Sequence, residues 1–190
     1  MKVTSLIGLL CMNLMSSAFA ADDFQAALKK AGQGNAQAQY DVAVIFFKGE
    51  LVKEDHIEAL KWYRKAAENG HAEAQFNMFS FFQWGWERAQ LPKDGVQAFV
   101  WLKKAADNNH PSAQDWLAGF YERGERVEKN PQEAEKWYSK AVVGFRKLAD
   151  QGNGWAMSRI GYYYENGIGG LEKNLEEAEK WYFTELRTGS

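Results

Sequence analysis

Asp55-His-Ile-Glu-Ala-Leu-Lys-Trp-Tyr-Arg-Lys-Ala-Ala-Glu-Asn-Gly70 returns in related form three more times, beginning at Asp94, Asn130 and Asn174. Every copy fits Asp/Asn-x-x-Glu/Gln-Ala-x-x-Trp-Tyr/Leu, which reads as a helix start followed by a fixed apolar face. The opening Asp or Asn can accept from the free N–H groups of the first turn, while Glu58, Gln97, Glu133 or Glu177 is expected to reach back to the cap's own N–H. Pro131 stands at a position where a missing N–H costs nothing. Ala59, Trp62 and Tyr63, with their counterparts Ala98-Trp101-Leu102, Ala134-Trp137-Tyr138 and Ala178-Trp181-Tyr182, fall at i, i+3, i+4. A small residue beside a large aromatic one lets a neighbouring helix approach closely.

A second recurring stretch precedes each copy. It begins as Ala36-Gln-Ala-Gln-Tyr-Asp-Val-Ala-Val-Ile-Phe-Phe-Lys-Gly49, with counterparts over 72–85, 111–124 and 154–167. Aligning Ala38, Ala74, Ala113 and Ala156 places Gly49, Gly85, Gly124 and Gly167 each 11 residues later, so this helix keeps one length and should close on a left-handed glycine. Helix, glycine turn and capped helix make an αα-hairpin of roughly 36 to 44 residues, and stacked copies form a solenoid. The repeats are placed at about 35–70, 71–109, 110–152 and 153–187. Residues 21–34 (Phe24, Ala27, Leu28, Ala31) lack the Trp-Tyr signature and read as an N-terminal capping helix.

Two irregularities stand out. The turn from Gly85 to Asp94 is three residues longer than that from Gly49 to Asp55, and carries Trp86 close to Trp84. Trp137 to Ala156 spans 19 residues where the equivalent spacing elsewhere is 12, so seven residues, or two helical turns, extend the same face through Phe145 and Leu148.

The pattern Ala-x-Ala-Gln-x-x-Val-Ala-x-x-Phe-x-x-Gly followed by Asp-x-x-x-Ala-x-x-Trp-Tyr-x-x-Ala-Ala-x-x-Gly (36–70) resembles the Sel-1-like repeat, a relative of the tetratricopeptide repeat. The resemblance runs through the whole chain after the leader. It implies an all-α fold, a right-handed α-solenoid of antiparallel helix-turn-helix pairs that acts by binding other proteins. Phe79 stands where the other copies have a small residue, and Pro111 replaces the leading Ala.

Residues 1–20 read as a signal peptide: Lys2, an apolar run from Val3 to Met15 too short to span a membrane, then Ser16-Ser-Ala-Phe-Ala20 with small residues at the cleavage site. Leu10 before Cys11 disfavours lipidation. Beyond Cys11 there is no cysteine, hence no disulfide, thiol nucleophile or thiolate metal site. The expected location is periplasmic or secreted, with no membrane insertion after leader cleavage. The 23 basic and 25 acidic residues are interleaved, which is no nucleic-acid footprint.

Comparing the copies separates framework from variable surface. Positions equivalent to 38, 42, 45 and 46 stay apolar and are the expected core. Positions equivalent to 37, 41, 44 and 48 vary and form one stripe of the first helix, expected on the inner wall of the solenoid. Tryptophan, tyrosine and arginine on that stripe are the types that dominate binding energy at interfaces. The expected partner-binding residues are Asp41, Asn77, Trp84, Trp86, Trp116, Arg123, Trp155, Arg159, Tyr162 and Asn166. Some of these aromatics could instead pack between neighbouring first helices.

No catalytic constellation emerges, and no enzyme activity, cofactor or metal is expected. His56, His71 and His110 are expected to be exposed near helix starts, and no His-x-x-x-His pair is present. Glu133 with Glu135 and Glu176-Glu177 read as first-turn helix stabilisers. Gly167-Ile-Gly-Gly170 lacks the Gly-Lys-Ser/Thr of a phosphate loop and reads as a turn. The functional expectation is an exported protein-interaction module whose concave groove holds a protein partner. By family analogy it is a periplasmic immunity protein neutralising a secreted antibacterial toxin; alternatives are a regulatory or envelope-assembly adaptor and, less favoured, a β-lactam-binding or hydrolysing enzyme. The fourth repeat lacks a polar capping helix, so a second copy is also a candidate partner there.

Overall fold

The computed structural model describes residues 23–188, with side chains described through Phe183. The expected leader and Cys11 lie outside the described residues. Helices occupy 23–32 (α1), Ala36–Lys48 (α2), His56–Glu68 (α3), Ala72–Trp84 (α4), Gly95–Asp107 (α5), Pro111–Arg123 (α6), Pro131–Asp150 (α7), Gly154–Asn166 (α8) and Leu175–Thr188 (α9). No strand occurs among the described residues; a 3-10 turn over Glu87–Ala89 interrupts the enlarged second loop. The chain divides after Lys93, within that loop, into two compact units.

The four first helices, α2, α4, α6 and α8, are each 13 residues long. Gly49, Gly124 and Gly167 close three of them in the left-handed region, each N–H donating to the carbonyl four residues back. Gly85 departs from the expected form, with φ 79° and ψ 158°. It releases the chain into an extended path, in which Trp86 and Leu91 exchange backbone hydrogen bonds of 2.8 and 3.0 Å. The three additional residues are thus folded into a closed loop around the 3-10 turn.

The second helices start as expected by one half of the capping box only. Asp55, Asp94, Asn130 and Asn174 accept from the N–H groups of Glu58, Gln97, Glu133 and Glu177. The glutamates do not return the bond: Glu58, Glu133 and Glu177 instead take Lys61, Lys136 and Lys180 one turn on. The N–H of Asp55, Asn130 and Asn174 donates to the carbonyls of Phe46, Tyr121 and Tyr164 in the preceding helix. That bond ties the two helices of a hairpin together, so the sequence pattern is a tertiary contact as well as a cap.

The histidine expectations need correction. His71 and His110 are the N-caps of α4 and α6, each accepting through Nδ1 from the N–H of Ala74 or Ala113 at 3.2 Å, as Asn35 and Asn153 do for α2 and α8. His110 is buried, and His71 stacks on Tyr40 at 4.4 Å. His56 is also buried, edge-on to Phe47 and Trp86, with Nε2 on the Glu54 carboxylate, which Arg88 also reaches. An imidazole nitrogen serves as a helix cap only when it is unprotonated, which a count of ionisable groups does not reveal.

Packing rests on the small framework residues. Ala38, Ala74, Ala113 and Ala156 of the first helices and Ala59, Ala98, Ala134 and Ala178 of the second are all buried. Trp101 and Trp137 are buried too, whereas Trp62 and Trp181 keep a partly open face. Lys65, Lys104 and Lys140, one turn beyond the first three tryptophans, place their ammonium groups 3.9, 4.2 and 4.0 Å from the ring centroids, covering the open side of each. In the first unit α1 lays Phe24 and Ala31 on Ala38 and Val42 of α2. In the second unit α7 is 20 residues long, and its extension buries Phe145 completely against Trp155.

A polar staple accompanies the alanines. Gln39, Gln75 and Gln114 are buried, and each Nε2 donates to the carbonyl eight residues upstream, at Ala31, Ala67 and Ala106. The acceptors are in the last turn of the preceding helix, and each also takes a backbone N–H from the turn beyond it, at Gly34, Gly70 and Asn109, so the glutamine adds a second bond that ties the next helix to that turn. Met157 takes this place in the fourth repeat. Gln114→Ala should therefore remove one buried hydrogen bond and lower unfolding free energy by about 0.5–1.5 kcal/mol, read from the urea midpoint. Wild-type stability in that variant would contradict the assignment.

Candidate functional site

The stripe residues separate into two groups, one in each compact unit. In the first, Asp41 is exposed and accepts from Gln37 on the same helix at 2.9 Å, while the oxygen of Gln37 faces Nε2 of His71 at 3.1 Å. Asn77 is half-buried beside the Tyr40 phenol. Burial and the Glu73 charge raise the pKa of that phenol, and a hydrogen bond with Asn77 opposes them. Trp84 is 52% exposed, its ring standing edge-on to Phe79 at 5.9 Å. With Leu91, Pro92 and Lys93 it borders an open cleft of about 660 Å³.

Trp86 borders the same cleft as Trp84 but is packed more deeply. Its ring stacks on Phe81 at 4.1 Å and meets Phe47, His56 and Tyr63, so it is half-buried as the anchor of the enlarged loop. Much of its apolar surface holds that loop down, and the remainder faces the cleft.

In the second unit the first helices α6 and α8 bring their stripes together. Arg159 of α8 donates to Asp115 of α6 at 2.7 Å, and the Tyr163 hydroxyl donates to the same carboxylate oxygen. The guanidinium carbon lies 4.6 Å from the Tyr162 ring centroid, fixing the cation over an aromatic face. Burial works against the Arg159 charge, yet Asp115 and Tyr163 outweigh it and raise its pKa. Arg123 is held by a two-pronged contact with Glu125 at 2.7 and 3.2 Å, and the Tyr138 hydroxyl donates to Glu122 at 2.9 Å.

Asp115, Glu122, Arg123, Tyr138, Arg159 and Tyr162, with Trp116 and Gly119, line a pocket of about 280 Å³. Gly119 is buried beneath the Arg123 guanidinium, from which a β-carbon there would lie 2.8 Å. Trp155 and Tyr162 are 50% and 41% exposed. Trp116 is half-buried, edge-on to Phe120. Asn166 turns its amide back to the Tyr162 carbonyl at 2.9 Å, so it caps its own helix.

Asp115, Glu122, Tyr138 and Tyr163 were not singled out by the sequence reading. Asp115 had a signal, since its position is Tyr40, Phe76 and Ser158 in the other copies. A lone carboxylate one repeat before Arg159 is the kind of pair that stacking brings together. Glu135 also does more than stabilise a first turn: its carboxylate accepts from the N–H groups of Gly169 and Gly170, pinning the glycine turn of the next repeat. Among the described residues no group of three His, Cys, Asp or Glu could hold a metal ion, and no helix is long and apolar enough to cross a membrane.

Comparison with known proteins agrees with this architecture. The Sel1 repeat model matches residues 36–71, 72–110, 111–142 and 156–183, and the chain belongs to the Sel1 repeat family. It is an all-α solenoid protein of the class that serves as protein-interaction modules. No curated protein matches it. Among solved structures, the Sel1 repeat protein from Oxalobacter formigenes is 29% identical, with a TM-score of 0.62 over 88% of this chain and 45% of that one. The protective antigen c5321 of uropathogenic Escherichia coli, which displays an SLR fold, is 28% identical, with a TM-score of 0.54 over 88% of this chain and 41% of its own. This chain thus spans less than half the length of either. The immunity protein Pa5087 from Pseudomonas aeruginosa is 15% identical, with a TM-score of 0.42 over 87% of this chain and 73% of its own, a likeness too slight to bear on role.

The tyrosines offer a test of the buried polar pairs. Burial, then the neighbouring carboxylates Glu122 and Asp115, raise the Tyr138 and Tyr163 phenols well above 10, and Tyr182 beside Glu165 is pushed up to about 12. A folded-state pKa above the unfolded one stabilises the fold below the unfolded value and loses that contribution as pH rises through the folded one. Stability should therefore fall from about pH 10 upward. Tyrosinate absorbance of native protein should lag that of urea-unfolded protein in the same range, and coincident curves would contradict these contacts.

Proposed function

We propose that the exposed first-helix surface of the second unit, formed by Trp155, Tyr162, Arg159, Trp116 and the pocket over Gly119, is the binding site for a protein partner. The observation that carries this reading is the pinning of Arg159 between Asp115 and the face of Tyr162. A long cationic side chain is held in one posture beside exposed aromatic rings, so little rotamer entropy remains to be lost on binding. Buried aromatic and arginine anchors of this kind are each worth about 2 kcal/mol or more at the centre of an interface. Trp84 and its cleft belong to the first unit.

Family analogy and the leader-like first 20 residues support the narrower reading of an exported immunity protein whose partner is an antibacterial toxin. Asp115 and Arg159 are unsuitable for testing it. Removing either leaves a largely desolvated charge unpaired, so Arg159→Ala is expected to destabilise the second unit by about 2 kcal/mol or more rather than to report on binding alone.

Trp155→Ser with Tyr162→Ser is the cleaner variant because both rings are about half open. Affinity purification from the native cell should recover a toxin in one-to-one complex with the wild type, with at least tenfold less on the double variant at unchanged helicity. Equal recovery would remove the site from the account, and recovery of a resident envelope protein alone would replace the immunity role with an adaptor role.

A further inference from the structure

The two additional turns of α7 create a second surface of different chemistry. Helix α6 begins at Pro111, which lies against Gly144; a β-carbon on Gly144 would fall 2.4 Å from the proline Cγ. Beyond that crossing α7 continues past the start of its hairpin partner. Lys140, Val143, Lys147, Leu148 and Gln151 follow one another at i, i+3, i+7, i+8 and i+11, so they form one face about 16 Å long.

That face and the start of α6 enclose an open groove of about 620 Å³. Val143 in its middle is 57% exposed, Pro111 and Leu148 are half-buried, and Lys140 and Lys147 stand exposed at its rim. Lys140 also lies over Trp137, which leaves its charge available. The lining holds two lysines and no carboxylate, in a chain whose net charge is −2. Most of the α7 wall falls in residues 143–155, between the third and fourth matches to the repeat family, so the groove is an addition to the repeat rather than part of it.

We propose that this groove docks an acidic amphipathic helix of a partner protein. Two carboxylates seven residues apart would face Lys140 and Lys147, and two large apolar residues between them would seat on Val143, Leu148 and Pro111. The spacing follows from the lysines, two turns apart on α7, and the mode is that of a helix laid in an apolar groove. This site is distinct from the first-helix surface proposed above, and either can fail without the other.

The probe is a fluorescein-labelled, alanine-based 16-residue helix with Glu at i and i+7 and Leu at i+3 and i+4, titrated with the full chain and followed by anisotropy. Saturable binding is expected, weakened at least tenfold by Lys140→Glu with Lys147→Glu. It should be partly restored when both glutamates of the peptide are changed to lysine, and unaltered by Trp155→Ser with Tyr162→Ser. Lys147→Glu alone, which leaves the Lys140–Trp137 contact intact, should weaken binding at least threefold and separates a charge effect from local unfolding. Absence of saturable binding, or equal binding by the charge-reversed variants, overturns the proposal. So does sedimentation of the wild type, but not the double variant, with phosphatidylglycerol vesicles when the peptide does not bind.

Discussion

Close approach of paired helices at alanine is the constraint on which this architecture depends. Ala38, Ala74, Ala113 and Ala156 on one side and Ala59, Ala98, Ala134 and Ala178 on the other are all buried, and none could grow without pushing a helix away. Once the helices are that near, the remaining groups fall within reach of one another. The cap N–H of a second helix finds a carbonyl of the first, and a buried glutamine meets the last turn of the helix before. The larger aromatics then fill the space at the edges, with lysines lying over the rings of Trp62, Trp101 and Trp137.

The fold was legible because its determinants are local and repeated. Equal first helices, the longer α7 and three of the four left-handed glycines follow from spacing alone. The fourth, Gly85, misleads because its conformation is set by the loop beyond it, where Trp86 pairs with Leu91. The glutamines stood in plain view after Ala38, Ala74 and Ala113, but a side chain reaching eight residues back has no signature in helical periodicity. Asn35, His71, His110 and Asn153 align as caps, yet histidine is judged by its charge before its ring nitrogen is considered as an acceptor.

The candidate site was legible in position and less so in chemistry. Variation among the copies located Trp84, Trp155 and Tyr162, and all three present open rings. It did not distinguish Trp86, whose partners Phe81, Phe47 and His56 come from three parts of the first unit. Nor did it distinguish Asn166, which serves its own helix. Arg159 is intermediate: its stripe position is variable, but Asp115 and Tyr163 make it as much a strut as a contact. A residue that both stiffens the scaffold and faces solvent is invisible to any scheme that sorts positions into framework and surface.

The central claim is that, Arg159 apart, stability and recognition are carried by different residues. Urea unfolding followed by far-ultraviolet circular dichroism tests it on two variants, Trp84→Ser/Trp155→Ser/Tyr162→Ser and Ala134→Leu. The triple variant removes half-open rings, two of which rest edge-on against Phe79 and Phe145, so it should keep its full helical signal and a cooperative transition. The single methyl-to-isobutyl change should cost about 1–3 kcal/mol, as overpacking of a tight contact does. A triple variant that loses its helical signal while Ala134→Leu unfolds like the wild type would contradict the division.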